Sequence, residues 1–282
     1  MPSASLQPIF ALLGYPLAGN PTQYMVEKAF TYHQLDWRYL TIEVDPDDLA
    51  DAVRGMRVMG FSGGNCADPH KEAILQHLDR LGTTAQLAGA VNCLVRDHEG
   101  LVGENTEGRA VVEAIGRRRD PTGKAAVVFG AGPMARAVAV ELARAKVGQI
   151  VVVNRTEAPA AALVRLLEKE LQTAASVAVP QTDYALPEET DLLVNATSIG
   201  QDDPEARLPL DFSTLGHNTL VADVIFEPPR THLIRHAERR GCETIDGLEI
   251  LVTQAAINFK LWTGMQPEAA VMYEAAEEFL EI

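Results

Sequence analysis

Cysteine is scarce: Cys66, Cys93 and Cys242 are the only three in 282 residues. They lie far apart with no C-x-x-C pair, which excludes a disulfide framework and a zinc ribbon and suits a reducing compartment. Positive charge is also short. Lys and Arg total 24 against 39 Asp and Glu, a formal net charge of -15. Nucleic-acid binding needs clustered Lys and Arg, so no such partner is expected. An anionic cofactor is not excluded, because a local nest of backbone N–H groups can outweigh the global field. No apolar stretch approaches the length that spans a bilayer. The opening MPSASLQPIFALLGYPL lacks the basic start and long apolar centre of a secretion signal. What remains, 47% hydrophobic with 22% charged, predicts a soluble, cytoplasmic globular protein long enough for two domains.

One stretch organises the rest. Ala125 to Thr156, AAVVFGAGPMARAVAVELARAKVGQIVVVNRT, reads as strand, tight turn, Ala-rich helix and second strand, a βαβ unit with a parallel pair. Gly130, Gly132 and Ala135 fit the G-x-G-x-x-G/A fingerprint, in which missing side chains let a pyrophosphate lie against a helix N-terminus. A glycine turn kept only for packing is the plainer alternative; the flanking strand and helix favour dinucleotide binding. Arg155 follows the second strand where an NAD enzyme often carries an acidic residue. Arginine accommodates a 2′-phosphate, so Asn154-Arg155-Thr156 favours NADP, with NAD the alternative.

Before this unit, IFALLGYPL and WRYLTIEV read as strands and VEKAFTYHQL as a helix. DPDDLADAVRGMRVMG is a helix with Asp45 as N-cap ahead of Pro46. FSGGN is a short strand or turn. Asp68-Pro69 repeats the cap-then-proline pattern and predicts a helix through HKEAILQHLDRLG. AVNCLVRD and LVGENT pair around HEG, Thr106 can cap a helix from Glu107 to about Arg118, and RRRDPTGK is a polar linker. After the unit come a helix following Thr156, strands in SVAVPQ, TDLLVNATSIG, NTLVADVIFEPP and CETID, and a helix from Thr231. Two closing helices follow, EILVTQAAINFKLWTG and PEAAVMYEAAEEFLEI. The alternation predicts an α/β protein with mainly parallel sheets.

The series GYPL, GFSGGNCADPHKEAI, GAVNCLV, GENTEG, VVFGAGPMARAVAVEL, VVNRT, LLVNATSIG, VADVIFEPPRTHLI and DGLEILVTQAAINFKLWTG resembles, in order, the shikimate/quinate dehydrogenase family. The resemblance implies two α/β domains with the active site in a cleft between them. One is a substrate domain, residues 1–106 completed by helices in 247–282; the other is a Rossmann-type NADP-binding domain, 107–246. It implies NADP-dependent interconversion of a cyclic hydroxy acid and its keto form, shikimate and 3-dehydroshikimate in aromatic amino-acid biosynthesis, by a monomer or homodimer. A paralogue acting on quinate or another ring acid is the alternative. An NADP-binding regulatory or sensor protein with little turnover is the rival from another class.

Read alone, Lys71 would be a solvated lysine on an amphipathic helix. With Asp68 as N-cap it would sit at N3, where the dipole disfavours a cation and lowers its pKa. The resemblance makes it the proton-transfer residue and Glu107 its partner, where the family carries aspartate. A first-turn carboxylate also has the plain use of complementing the dipole. Asn20, Thr22, Asn92, Asn105 and Gln254 take substrate-binding positions, and Asn258 is read as structural. Cofactor positions are Gly130, Ala131, Gly132, Pro133, Met134, Ala135, Asn154, Arg155, Thr156, Thr197 and Gly247.

The sequence departs from the family at several of these places. Asn20 and Thr22 replace two serines that hold the substrate carboxylate, Ala67 a pocket threonine and Phe226 a tyrosine. Asp68 replaces an apolar residue beside the lysine. Pro133 removes one N–H from the phosphate nest, and Pro159 replaces a second basic residue of the phosphate clamp. Such changes point to an altered substrate or a weakened site. His232 and His236 have i, i+4 spacing without a nearby acidic third ligand, so no metal site is expected. Arg117 to Arg119 read as a solvated helix end, and Cys66 and Cys93 as packing residues.

Overall fold

The structure is a computed structural model describing residues 6–201 and 203–282. In chain order its first elements are β1 (Ile9–Gly14), α1 (Thr22–Tyr32), β2 (Arg38–Glu43), α2 (Leu49–Val58), β3 (Gly63–Cys66) and α3 (His70–Ala73). There follow β4 (Arg80–Leu81), α4 (Thr83–Ala88), β5 (Cys93–Asp97), β6 (Gly100–Glu104), α5 (Glu107–Gly116), β7 (Ala125–Phe129), α6 (Pro133–Arg144) and β8 (Gln149–Val153). The last are α7 (Glu157–Leu171), β9 (Ala174–Ala178), β10 (Leu192–Asn195), β11 (Leu220–Asp223), α8 (His232–Arg239), β12 (Thr244–Ile245), α9 (Gly247–Thr263) and α10 (Ala269–Leu280). Two compact units result: the chain up to Thr106 with Gln254–Ile282, and Glu107–Thr253. The second passage between them falls inside α9.

The first unit holds a sheet ordered β2-β1-β3-β5-β6-β4. β1 pairs in parallel with β2 and β3, while β5 runs antiparallel to both β3 and β6. The sheet is mixed because only His98 and Glu99 separate β5 from β6, a connection that closes a hairpin but cannot make a parallel crossover. Asp97 fixes that turn by accepting the N–H groups of Glu99 and Gly100. β3 approaches β1 so closely that a Cβ on Gly64 would lie 1.8 Å from the Ala11 carbonyl oxygen, and its φ of +153° itself favours glycine. Leu13, Leu49, Val53, Ile74, Val91, Leu94 and Leu101 fill the core under the sheet.

α2 is preceded by a short 3-10 turn, Pro46–Asp48, in which Asp45 accepts the Asp47 N–H. The edge of the sheet is covered from its own unit. Glu27 and Gln23, one turn apart on α1, accept the N–H groups of Tyr39 and Thr41 on β2.

The second unit has a wholly parallel sheet ordered β12-β11-β10-β7-β8-β9. The chain winds from β7 out to β9 and returns to β10 on the other side of β7. The carboxyl ends of β7 and β10 therefore flank the switch point, where open α/β sheets bind ligands. α5 and α6 meet at backbone distance, since a Cβ on Gly108 would lie 2.0 Å from the Ala137 carbonyl oxygen.

Candidate active site

The turn that carries Lys71 leaves the central strand β3 and is stitched down at its backbone. Ala67 N–H donates to Leu13, the Asp68 carbonyl accepts from Tyr15, and the Lys71 carbonyl accepts from Val91. His70 is buried, with Nε2 2.8 Å from the Val44 carbonyl oxygen. The expected cap does not form. Pro69, not Asp68, stands at the cap position of α3, and no side chain bonds there. The Asp68 carboxylate instead lies 3.4 Å from the Lys71 ammonium; a full charge three residues away outcompetes a neutral amide. The long helix expected through HKEAILQHLDRLG is also absent. α3 is four residues long, a 3-10 turn follows over Ile74–His77, β4 occupies what was read as the helix tail, and α4 follows it. One helical turn carries little macrodipole, so the carboxylate, not the dipole, is the charge that faces this lysine from its own turn.

Behind the turn lies a buried chain of amides and hydroxyls. The Tyr39 hydroxyl donates to Asn65 Oδ1 at 2.6 Å, and Asn65 Nδ2 donates to the Asn92 carbonyl. Asn92 Oδ1 accepts the Thr106 N–H at 2.7 Å and its Nδ2 donates to Thr106 Oγ1 at 2.9 Å. The Thr106 hydroxyl lies 2.7 Å from Asn258 Oδ1, which gives that hydroxyl a tertiary role in place of simple helix capping. Asn105 donates to the Ala90 carbonyl. Asn92, Asn105, Thr106 and Asn258 are all almost fully buried, so the two asparagines read as substrate contacts also brace the fold. Glu107, the first residue of α5, is 3% exposed.

Just before α1, Asn20 Oδ1 accepts the Thr22 N–H at 3.0 Å, so the amide oxygen is spent on the turn into the helix, whose cap position is Pro21. Gln254 is half-buried on α9, one turn ahead of Asn258.

In the second unit, β7 ends at Gly130, whose φ of +110° excludes most side chains and where a Cβ would lie 2.9 Å from the Ala196 carbonyl oxygen. Ala131 is buried; Gly132 is exposed, extended and the N-cap of α6, with open space where a Cβ would point. Pro133 follows at N1, Met134 is half-buried and Ala135 is buried. A glycine cradle opening at the N-terminus of a 12-residue helix fits a pyrophosphate. At the end of β8, Asn154 Nδ2 donates to the Thr156 carbonyl and hydroxyl, and Arg155 is exposed. Thr197 is held by Asn195, whose Oδ1 accepts from both its N–H and its hydroxyl. Gly247 opens α9 where a Cβ would lie 2.1 Å from the Ile225 backbone.

Sequence reading missed Asp223, at the end of β11. It is fully buried and accepts from Asn195, Ile225 and the Thr231 hydroxyl. Burial pushes its carboxyl up to about 6, against those hydrogen bonds. The available signal was an acidic residue closing the apolar run LVAD. Arg117 to Arg119 are not merely solvated. Arg118 makes a two-pronged pair with Glu249 on α9 at 2.7 Å, Arg117 reaches Thr253, and Arg119 bonds the Asn218 carbonyl and Glu243. His232 and His236 stack at 4.2 Å beside Phe212. Cys66 and Cys93 are buried thiols outside any disulfide, and burial pushes the Cys93 thiol up.

Three family models match the chain: a shikimate dehydrogenase substrate-binding domain over residues 12–94, shikimate/quinate 5-dehydrogenase over 114–201, and a shikimate 5′-dehydrogenase C-terminal domain over 247–277. A curated shikimate dehydrogenase (NADP(+)) of Desulforamulus reducens is 36% identical over 270 residues, covering 94% of this chain and 92% of the relative. Among solved structures, ligand-free 5-ketofructose reductase of Gluconobacter sp. strain CHM43 has a TM-score of 0.93 at 39% identity, covering 96% of this chain and 98% of that one. Shikimate 5-dehydrogenase of Thermus thermophilus, in complex with NADP(H) and shikimate, has a TM-score of 0.84 at 33% identity, covering 97% and 100%.

Proposed function

Because the chain belongs to the shikimate/quinate dehydrogenase family of NADP-dependent oxidoreductases acting on CH–OH groups, we propose that it interconverts a cyclic hydroxy acid and its keto form, shikimate and 3-dehydroshikimate. The observation that carries this is Lys71: an ammonium on a backbone-stitched turn, 13% exposed and facing a carboxylate. Bound NADPH supplies the hydride. Lys71 gives a proton to the carbonyl oxygen as it becomes a hydroxyl, and recovers it in the reverse direction. Glu107 orients the lysine and relays the proton. The Asn20 amide N–H, the Thr22 hydroxyl and Gln254 hold the substrate, with Asn92 and Asn105 contributing from the braced network. Gly130, Ala131, Gly132, Pro133, Met134 and Ala135 cradle the pyrophosphate. Arg155, with Asn154 and Thr156, takes the 2′-phosphate, and Thr197 and Gly247 border the remainder of the cofactor. The reaction belongs to cytoplasmic aromatic amino-acid biosynthesis.

A second reading has its own observation. Asn20 spends its carbonyl oxygen on the helix start, which leaves a poorer carboxylate site than two hydroxyls provide, and a neutral polyhydroxy ketone needs none. The likeness to 5-ketofructose reductase points the same way. Steady-state assays of shikimate, quinate and 5-ketofructose, each with NADP(H) and NAD(H), separate the readings. The first predicts turnover of a ring acid with NADP preferred. Turnover of 5-ketofructose alone selects the second, and turnover of none contradicts both.

A further inference from the structure

We propose that Asp68 is a specificity-determining residue that weakens the hold of the Lys71 site on anionic substrates and so narrows its preference for a ring acid over neutral polyhydroxy ketones; the proposal rests on the reading of Lys71 as the proton-transfer residue. The two charges sit 3.4 Å apart but are unequally placed, the lysine side chain being 13% exposed and the aspartate 77%. An arriving molecule therefore meets the carboxylate before the ammonium. The backbone beneath the pair is held in place, the Asp68 carbonyl accepting the Tyr15 N–H and the Ala67 N–H donating to Leu13. A pair with one partner this exposed contributes little to folding. Its consequence lies in the local field: an isolated ammonium attracts a substrate carboxylate, while a paired one presents a dipole with its negative end outward.

Two neighbours act in the same sense. The exposed Glu43 carboxylate accepts the Leu17 N–H at 2.7 Å, so a second carboxylate is held on the loop leading from β1 to Asn20. At that loop's end Asn20 Oδ1 has taken the Thr22 N–H, removing a donor that an anion would use. The formal net charge of -15 adds to the bias at long range.

The test compares Asp68→Asn and Asp68→Glu with the parent protein on two probes, shikimate, which is anionic, and 5-ketofructose, which is neutral. The expected result for Asp68→Asn is a rise of about 5–20-fold in the ratio of kcat/KM for shikimate to that for 5-ketofructose. Most of it would come from KM for shikimate, and Asp68→Glu would return the ratio towards the parent value. Calorimetric binding of shikimate provides a readout independent of turnover: affinity should tighten about 5-fold or more in Asp68→Asn, with the gain shrinking as salt is raised. A ratio and an affinity both within twofold of the parent would overturn the proposal, as would absent shikimate binding in every variant. Lys71→Ala keeps the two readings distinguishable. Its undiminished turnover would remove the lysine mechanism, while the calorimetric comparison would still judge Asp68.

Discussion

Buried carboxylates and crowded glycines mark where single residues decide most. Asp223 has no exposed surface, and its carboxyl is pushed from 3.8 up to about 6 by burial, while Thr231, Ile225 and Asn195 donate to it. The folded protein therefore keeps a proton that the unfolded chain has already released. The resulting contribution to stability is whole below about pH 4 and is lost as pH rises through 6. The gap is worth about 3 kcal/mol at most. Asparagine can accept from Asn195 and Ile225 and donate to Thr231, so Asp223→Asn should flatten stability against pH. Denaturation series between pH 4 and 7 check this; parallel curves for the two proteins would refute it. Gly247 offers a second case. With the Ile225 backbone 2.1 Å from where a Cβ would sit, Gly247→Ala must push apart the start of α9 and the chain after β11. The expected cost is about 2–4 kcal/mol in urea titration.

Elements differ in how far local pattern decides them. The β7–α6–β8 unit was readable from sequence because its strands are continuous apolar runs and its glycines are needed on the spot, at φ +110° and at an open helix start. α3, β4 and α4 were not, since elements of two to six residues are held by tertiary hydrogen bonds rather than periodicity. The Asp68 cap failed for a related reason: a cap signature does not register a lysine three residues on. Arg118 was misread because its partner Glu249 lies 131 residues away, and the candidate asparagines showed their residue types but not their partners. The edge strand β2 gives a prediction at this scale. Glu27 and Gln23 cover two of its N–H groups, and Leu40 on the same strand is 40% exposed. Uncovered edges recruit other strands, so Gln23→Ala/Glu27→Ala should associate with rising concentration in light scattering at unchanged helix content. A variant that stays monodisperse would show that the cover is dispensable.

For the molecule as a whole, the acidic composition that argues against a nucleic-acid partner also bears on small-molecule chemistry. A chain with net charge -15 must hold an anionic cofactor through local donors, and the Gly132 cradle and Arg155 are the donors proposed for that role. The proposed function stands on Lys71 as the source of the proton needed at the substrate oxygen. Its most direct measurement is single-turnover reduction by Lys71→Ala against the parent protein, with NADPH affinity measured alongside. The prediction is a fall of about 10²–10⁴-fold in the reduction rate with NADPH affinity within twofold of the parent. Reduction at the parent rate in Lys71→Ala would contradict it.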